Sequence, residues 1–470
     1  MRTRRDQVQA YRFVTRRIVS AMVSGEPETN DLPMRRLGLA LVGSVLVGAL
    51  VLGVFGAYGL LTENRAPLEP DTLVVEKETG AKYVFTRDKL YLVTNYASAR
   101  LIIGTESPTI RHMSAGSLKN RPRTLPVGIL NAPDALPDPK DLAGDEWRVC
   151  SNFTTDQTDL PVSTLLVNRS LGGAATLAGD EAVLVNAADA GGEKAFYLLW
   201  NNTRLAVPRP ALVGLDPNSA LPVAAELVNA VKAGPNLEAP RLEGLGTPFD
   251  GTVDGQTADV GTVFEVNDRF YVLAGSGLSQ VGRLTAELLT AATGDDPRET
   301  TAQEVDRLQT DERVEPEGFP ASMPRLRQSV SRDRTAICDL YDVPNSRHTI
   351  EVFDTRPDEL AIGLEGNTDS AIRGATATVD RVLVTGGAGA LIQSMLPDGK
   401  AAPGSTVYLL TDDGRKFALG NTGGSAQAAL GYTGAPVSPV PLELIELIPA
   451  GPALEIEAAR RSVTSAAATG

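Results

Sequence analysis

Side chains able to do chemistry are few and scattered. In 470 residues there are two histidines, His112 and His348, and two cysteines, Cys150 and Cys338. A protein metal site needs three or four His, Cys or carboxylate ligands converging on one ion. Each of these four residues stands alone in its neighbourhood, so no metal is expected, and each histidine reads as a surface or loop residue. A hydrolase nucleophile on a Gly-x-Ser-x-Gly elbow is absent from the sequence. A phosphate cradle of the form Gly-x4-Gly-Lys-[Ser/Thr] is absent too. Its nearest match, Gly399-Lys400, is followed by Ala401, and Ser394 stands where the first glycine belongs. The run Gly386-Gly387-Ala388-Gly389 follows an expected strand at 381–385, but its spacing is not that of a dinucleotide turn, and it reads as a flexible turn or contact surface. No cofactor is expected. Asn168-Arg169-Ser170 and Asn201-Asn202-Thr203 fit the glycosylation pattern, which carries no weight in a chain so rich in Ala and Gly.

The strongest signal is physical rather than chemical. Residues 37–61 form an apolar run of 25 residues without a charge. About 20 apolar residues in a helix cross a ~30 Å hydrocarbon core. A signal peptide's apolar part is only about 7–15 residues, and no convincing small-residue cleavage site follows this run, so it reads as a retained anchor. No second run of that length occurs. Residues 1–36 carry eight arginines against four acids, and Arg35 and Arg36 abut the span. Basic flanks resist translocation. The expectation is a single-pass protein of the cytoplasmic (inner) membrane, N-terminus in the cytoplasm, C-terminal domain outside. The whole chain is −14 and the arm +4, which leaves about −18 on the exported part. That excludes nucleic acid as an expected partner. Within the span, Ser44 and Gly48 are four apart, as are Ala49, Gly53 and Ala57, a small-residue spacing that lets helices approach closely. The alternative is that small residues are simply common in membrane helices.

The inner arm has helical periodicity. Over residues 7–23, Val8, Tyr11, Val14, Ile18 and Met22 recur at three- and four-residue steps, with Arg12, Arg16 and Arg17 off the stripe. Such a helix lies on anionic membrane lipid or docks on a protein partner; the pattern alone supports both. Outside, an even count of cysteines in an oxidising compartment suggests a Cys150–Cys338 disulfide, the alternative being two unrelated free thiols.

The exported part repeats. Hairpin patterns, each an apolar run, a polar turn and a second apolar run, occur at 82–93, 195–207, 261–273 and 405–419. Short helical stretches follow, expected at 128–131, 224–232, 283–292 and 442–448, three of them introduced by a proline. Two long inserts, each with one cysteine and strand-like runs such as 181–186, 349–353 and 381–385, separate the units. The inserts are expected to pair as one central β body, with units one-two and three-four as approximate copies of a half. The expected fold is α+β: one transmembrane helix, then an elongated exported domain with a central β-rich core and four β-hairpin/helix repeat modules. Along the chain these are the cytoplasmic arm (1–36), span (37–61), linker (62–81), module 1 (82–134), first segment of the central β domain (135–194), module 2 (195–245), module 3 (246–295), second segment of the central β domain (296–404), module 4 (405–455) and tail (456–470).

Several local sequences together resemble the EccB family of actinobacterial type VII (ESX) secretion systems. They are Gln7-Val8-Gln9-Ala10-Tyr11-Arg12-Phe13 with Arg16-Arg17 before one span, Trp147-Arg148-Val149-Cys150, Ala336-Ile337-Cys338, Leu430-Gly431-Tyr432, Val440-Pro441 and 448–454. The resemblance covers nearly the whole chain and is specific through the combination. It implies a structural and assembly subunit of a membrane secretion complex with EccC, EccD and EccE partners. It also implies outer domains that contact other copies of the chain, four modules around a central β domain, and a disulfide falling on Cys150 and Cys338. It favours protein docking over lipid for the arm, through Val8, Tyr11, Arg12, Val14, Arg16, Arg17 and Ile18. ATPase activity has been suggested for the family; without a P-loop here, EccC-type subunits are the expected motor. The competing readings are an exported nucleotide hydrolase and a stand-alone membrane-anchored cell-wall-binding protein.

Overall fold

Strand-forming residues set most of this chain, and tight turns set the order of its sheets. The computed structural model describes residues 3–25, 33–62, 67–153, 160–188, 192–328, 330–361, 378–420 and 425–463. The chain divides into two units, Met1–Leu92 with Thr109–Thr124, and Val93–Pro108 with Leu125–Gly470.

The first unit opens with two helices, α1 (Arg4–Ser24) and α2 (Pro33–Thr62). Gly25 ends α1 in the left-handed conformation, with its N–H on the Ala21 carbonyl. Gly38–Tyr58 within α2 is long and apolar enough to cross a membrane, and none of it is buried against the rest of the chain. Strands β1 (Thr72–Glu76), β2 (Lys82–Thr86) and β3 (Lys89–Val93) form an antiparallel meander, and β4 (Ile110–Met113) pairs parallel with β1. Helix α3 (Tyr96–Ile103), between β3 and β4, belongs to the second unit; α4 (Ala115–Leu118) follows β4 in the first. Val74, Tyr83, Phe85, Leu90 and Leu118 make the first unit's small core.

The same topology recurs three times in the second unit. Module 2 uses β8 (Glu181–Ala188), β9 (Lys194–Trp200), β10 (Thr203–Ala206) and β11 (Leu221–Pro222), followed by α5 (Ala225–Ala230). Module 3 uses β12 (Val263–Val266), β13 (Arg269–Ala274), β14 (Gly277–Val281), α6 (Arg283–Thr293) and β15 (Arg298–Glu299), then α7 (Ala302–Leu308). Module 4 uses β20 (Ala390–Ser394), β21 (Val407–Leu410), β22 (Lys416–Ala418), α9 (Ser425–Ala429) and β23 (Ser438–Val440), then α10 (Leu442–Glu446). The repeat is therefore three antiparallel strands, a crossover and a fourth strand parallel to the first, rather than two strands and a helix. Three of the four modules begin earlier than the hairpin patterns place them. Thr72–Glu76 opens the first sheet from within the expected linker, and Glu181–Ala188 and Ala390–Ser394 leave the expected central inserts to open the second and fourth. In three modules one hairpin turn places two consecutive non-glycine residues at positive φ, Arg87-Asp88, Asn201-Asn202 and Asn267-Asp268. That backbone matches the right-handed twist of the flanking strands. No helix forms at 128–131: Val127 there bridges to Val93 and Ser462, and the helix after β3 is α3.

The second unit also holds a six-stranded sheet of order β19-β6-β5-β17-β18-β7. The first half of the chain supplies β5 (Glu146–Asn152), β6 (Val162–Val167) and β7 (Ala175–Thr176), and the second half supplies β17 (Ala336–Asp342), β18 (Arg347–Phe353) with the short helix α8 (Asp358–Ala361) after it, and β19 (Arg381–Leu383). Its inner four strands are antiparallel and arranged with a local two-fold, strand one against strand one. The outermost strands are exchanged between halves, β19 parallel to β6 and β7 antiparallel to β18. One face, bearing Trp147, Val149, Leu165, Ile337, Tyr341 and Ile350, is covered by modules 2 and 4 in a single core.

The halves interlock a second way. Helix α6 of module 3 turns Leu284 and Leu288 onto Leu198, Leu205 and Leu215 of module 2, and Ala286 and Leu289 onto its own sheet. Correspondingly, α3 sets Ala97 and Leu101 against Leu391, Leu409 and Phe417 of module 4. The segments that follow repeat the pairing. Strand β16 (Arg325–Leu326) lies along β8, and Leu142 bridges to Gly389 at the start of β20. The tail helix α11 (Ile456–Ala459) closes the module 4 core, and Val463 N–H bonds to the Pro126 carbonyl at 3.0 Å.

Candidate functional site: the anchored arm and the stapled sheet

The stapled sheet centres on two strands whose residues alternate between its two faces in the same phase. In β5, Trp147, Val149 and Ser151 face the shared core while Arg148, Cys150 and Asn152 face the other side; in β17, Ile337, Asp339 and Tyr341 face the core while Ala336 and Cys338 face away. Antiparallel register places Cys150 directly opposite Cys338, with Cα atoms 4.0 Å apart, and the two are joined as a disulfide. Both are fully buried, among Leu166, Leu171, Ala336, Phe353 and Leu360.

The cysteines lie at the middle of one lateral row crossing all six strands: Arg381, Thr164, Cys150, Cys338, Glu351 and Thr176. The charged members of the row are both tied. Arg381 donates to Thr164 Oγ1 through Nε at 3.1 Å and Nη2 at 2.8 Å. Arg148 donates to Glu351 through Nε at 2.7 Å and Nη2 at 3.3 Å, a buried bidentate pair, and its Nη1 caps the Arg169 carbonyl. A planar guanidinium suits a carboxylate in this geometry, and a charge so far from water needs that partner.

On the core face, His348 Nδ1 lies 2.8 Å from Asp339 Oδ2, and its ring sits 4.8 Å from that of Tyr341. Burial pushes the Asp339 carboxyl up, against the lowering effect of the histidine. Its second oxygen, Oδ1, is buried without a hydrogen-bond partner. His348 is thus a half-buried strand residue paired with a buried acid, not the surface residue expected; His112, on β4, is exposed. Where α5 meets the central sheet, Asp380 accepts from Ser163 N–H at 2.8 Å and from its hydroxyl at 3.0 Å. Burial first, and then the Asp380 charge, raise the nearby Glu226 carboxyl.

The Gly386–389 loop connects β19 to β20. Its Gly387 N–H is taken by Asp412 Oδ2 at 2.7 Å, and Gly389 is pressed against the Leu410 carbonyl and Pro137, where a Cβ would lie 2.4 and 2.7 Å from them. It is an internal contact. Among the described residues no cluster of three or more potential metal ligands occurs.

The arm residues Val8, Tyr11, Val14 and Ile18 are all exposed on α1, Tyr11 at 75%, and Arg12, Arg16 and Arg17 are exposed beside them. Phe13, outside the apolar stripe, is exposed as well at 64%. In α2, Ser44, Gly48, Ala49, Gly53 and Ala57 are exposed; Ser44 turns its hydroxyl back to the Leu41 carbonyl at 2.9 Å, and among the described residues a Cβ at Gly48 or Gly53 would meet no neighbour within 4 Å. The fold brings the two cysteines together, and the arm and span residues lie on α1 and α2. The polar ties around the disulfide were not legible in the sequence. Their one local signal was a charged residue, Arg148, inside an apolar strand next to a cysteine.

Known proteins resemble this chain along its length. The chain is 27% identical to the ESX-3 secretion system ATPase EccB3 of Mycolicibacterium smegmatis, over 96% of this chain and 89% of the relative. It is 26% identical to the protein of that name from Mycobacterium tuberculosis, over 96% and 88%. Among solved structures, it resembles a chain of an intact ESX-5 inner membrane complex at 22% identity, covering 98% of this chain and 95% of that one, with a TM-score of 0.64. It also resembles the EccB3 dimer of the ESX-3 core complex at 24% identity, covering 83% and 100%, with a TM-score of 0.62. These two likenesses establish the fold. With the family model for the type VII secretion system ESX-1 transport TM domain B matching residues 1–467, the chain belongs to that family, known also as EccB.

Proposed function

We infer that this protein is a structural and assembly subunit of a type VII secretion membrane complex, supporting protein export across the cytoplasmic membrane. The observation that carries the reading is the family match from residue 1 through residue 467, which takes in the arm, the span and the stapled domain together. In this reading the chain is single-pass, its arm in the cytoplasm and everything after residue 62 outside. The arm docks on EccC-, EccD- or EccE-type membrane subunits through Val8, Tyr11, Val14 and Ile18, with Arg12, Arg16 and Arg17 supplying charge. Support comes from their exposure on α1 and from the small-residue spacing of the span at Ser44, Gly48, Ala49, Gly53 and Ala57. The outer domains meet other copies of the chain, as the EccB3 dimer does. The outer domain is read as four modules opening at residues 72, 181, 263 and 390, with a central sheet between the halves. The relatives carry the word ATPase in their names. Without Gly-x4-Gly-Lys in this sequence, the motor is assigned to an EccC-type subunit.

Deleting residues 1–30 tests the docking role. Among the described residues the helix supplies none of the buried apolar clusters after residue 67, so the outer domain should fold unchanged. Migration of the membrane complex on native gels should shift from the large assembly to smaller species. Normal assembly and secretion by the truncated chain would show the arm to be a topogenic signal alone.

A further inference from the structure

We propose that the Cys150–Cys338 bond is made before the outer domain closes, by exchange with a disulfide-bearing oxidant of the exported side, with Cys150 taking the oxidant's sulfur and Cys338 resolving it. The proposal rests on the reading that this part of the chain is exported. The closed fold leaves no route for the reaction. Both cysteines are fully buried, packed under Leu171, Phe353 and Leu360 and flanked by the Arg148–Glu351 pair. Thiol–disulfide exchange requires a thiolate to meet one sulfur of another disulfide, so a second molecule must reach the cysteine itself. Inside this core that approach means parting β5 from β17.

Chain order assigns the roles. Cys150 precedes Cys338 by 188 residues. Strand β5 finds β6 locally, with Cys150 opposite Thr164, and its other edge stays open until β17 arrives. Cys150 is then accessible and has no partner. Its thiolate attacks the oxidant's disulfide, forming a Cys150–oxidant bond and releasing one oxidant thiolate. Strand β17 pairs with β18 across a short turn and docks with Cys338 opposite Cys150. The Cys338 thiolate attacks the Cys150 sulfur, the Cys150–Cys338 bond forms, and the second oxidant thiolate leaves. Two electrons pass from the cysteines to the oxidant, and their two protons go to solvent. Sheet pairing makes the second step intramolecular, which disfavours other acceptors.

Two measurements test this. First, the oxidised full-length protein in detergent is treated with dithiothreitol across a urea series and its thiols are counted. Reduction, like formation, needs an outside sulfur to reach this buried pair, so release should be at least about 100-fold slower in the folded than in the unfolded chain and should rise steeply with urea. Release at the unfolded rate without urea overturns the proposal, whatever a topology reporter says. Second, cells expressing full-length Cys338→Ser or Cys150→Ser are quenched with N-ethylmaleimide and examined on non-reducing gels. A mixed disulfide should accumulate on Cys338→Ser at Cys150. Adducts on Cys150→Ser alone, on both variants equally or on neither overturn the assigned order.

Discussion

The pair Arg148–Glu351 shows how one residue's environment is made by its neighbours across a sheet. Its side chains are 5% and 10% exposed and bonded at 2.7 Å. Glu351→Gln leaves the guanidinium buried against a neutral group, and loss of one partner of such a pair costs about 3–5 kcal/mol. The urea midpoint of the purified protein should fall accordingly, whereas a wild-type midpoint would mean that water already reaches the pair. Glu226 sets a pH dependence of known sign. Its folded carboxyl is raised by burial and by the Asp380 charge. The folded state therefore keeps its proton to higher pH than the unfolded state does. The contribution is fully present below the ordinary glutamate value of about 4.3, and it is lost as pH rises through the raised folded value. Midpoints measured across that window should decline with rising pH in the wild type, and Glu226→Gln should flatten that component of the decline.

At the scale of elements, the modules depend on partners that arrive late in the chain. Helix α6 begins at Gly282, which offers no side-chain cap; Glu315 supplies it instead, accepting from Gly282 N–H and from the Thr285 hydroxyl, both at 2.6 Å. An anionic oxygen suits the unpaired amides and positive end of a helix. Strand β14 begins at Gly277, at φ +140°, where a Cβ would lie 2.1 Å from the Leu308 carbonyl, beside the bridge from Leu278 to Gln309. That backbone cannot retreat without breaking the bridge, and the conformation disfavours any side chain. Gly277→Ala should cost about 1–3 kcal/mol, with amide exchange in β14 and around residue 309 rising before that in β12. Uniform loss of protection across the protein would instead point to global unfolding through some other route. Four modules of one topology were visible only as hairpins in the sequence, because a tight turn such as Asn267-Asp268 marks itself while a parallel fourth strand of two to four residues does not. Strands such as Glu181–Ala188 are buried on both faces; their composition suits either a module or the central sheet, and only hydrogen-bond partners distinguish the two.

For the whole molecule, orientation is the first quantity to measure. Eight arginines precede the span, and the disulfide lies after it. A reporter active only outside the cytoplasm should work when fused after residue 470, and a cytoplasm-only reporter should not. The reverse result would place the stapled sheet in a reducing compartment and remove the inferred topology. The interlocked halves add a second whole-molecule property. Helix α6 fills module 2 and α3 fills module 4, so folding of one half's modules draws on the other half. Contacts of such sequence separation carry a large loop-closure cost before they form.

The sequence by itself determined the candidate membrane helix, the helical arm, the β-rich domain after it and the single possible cystine. Each of these rests on local composition, periodicity or a count, which need no knowledge of partners. Tertiary structure alone decided that β5 and β17 are the central neighbours, that the cysteines share a row with Arg381, Thr164, Glu351 and Thr176, that His348 meets Asp339, and that helices cap the modules of the opposite half. These are pairings across tens to hundreds of residues. Many strands of this chain have nearly the same apolar pattern, and which pairs with which is set by how all of them fill the cores at once.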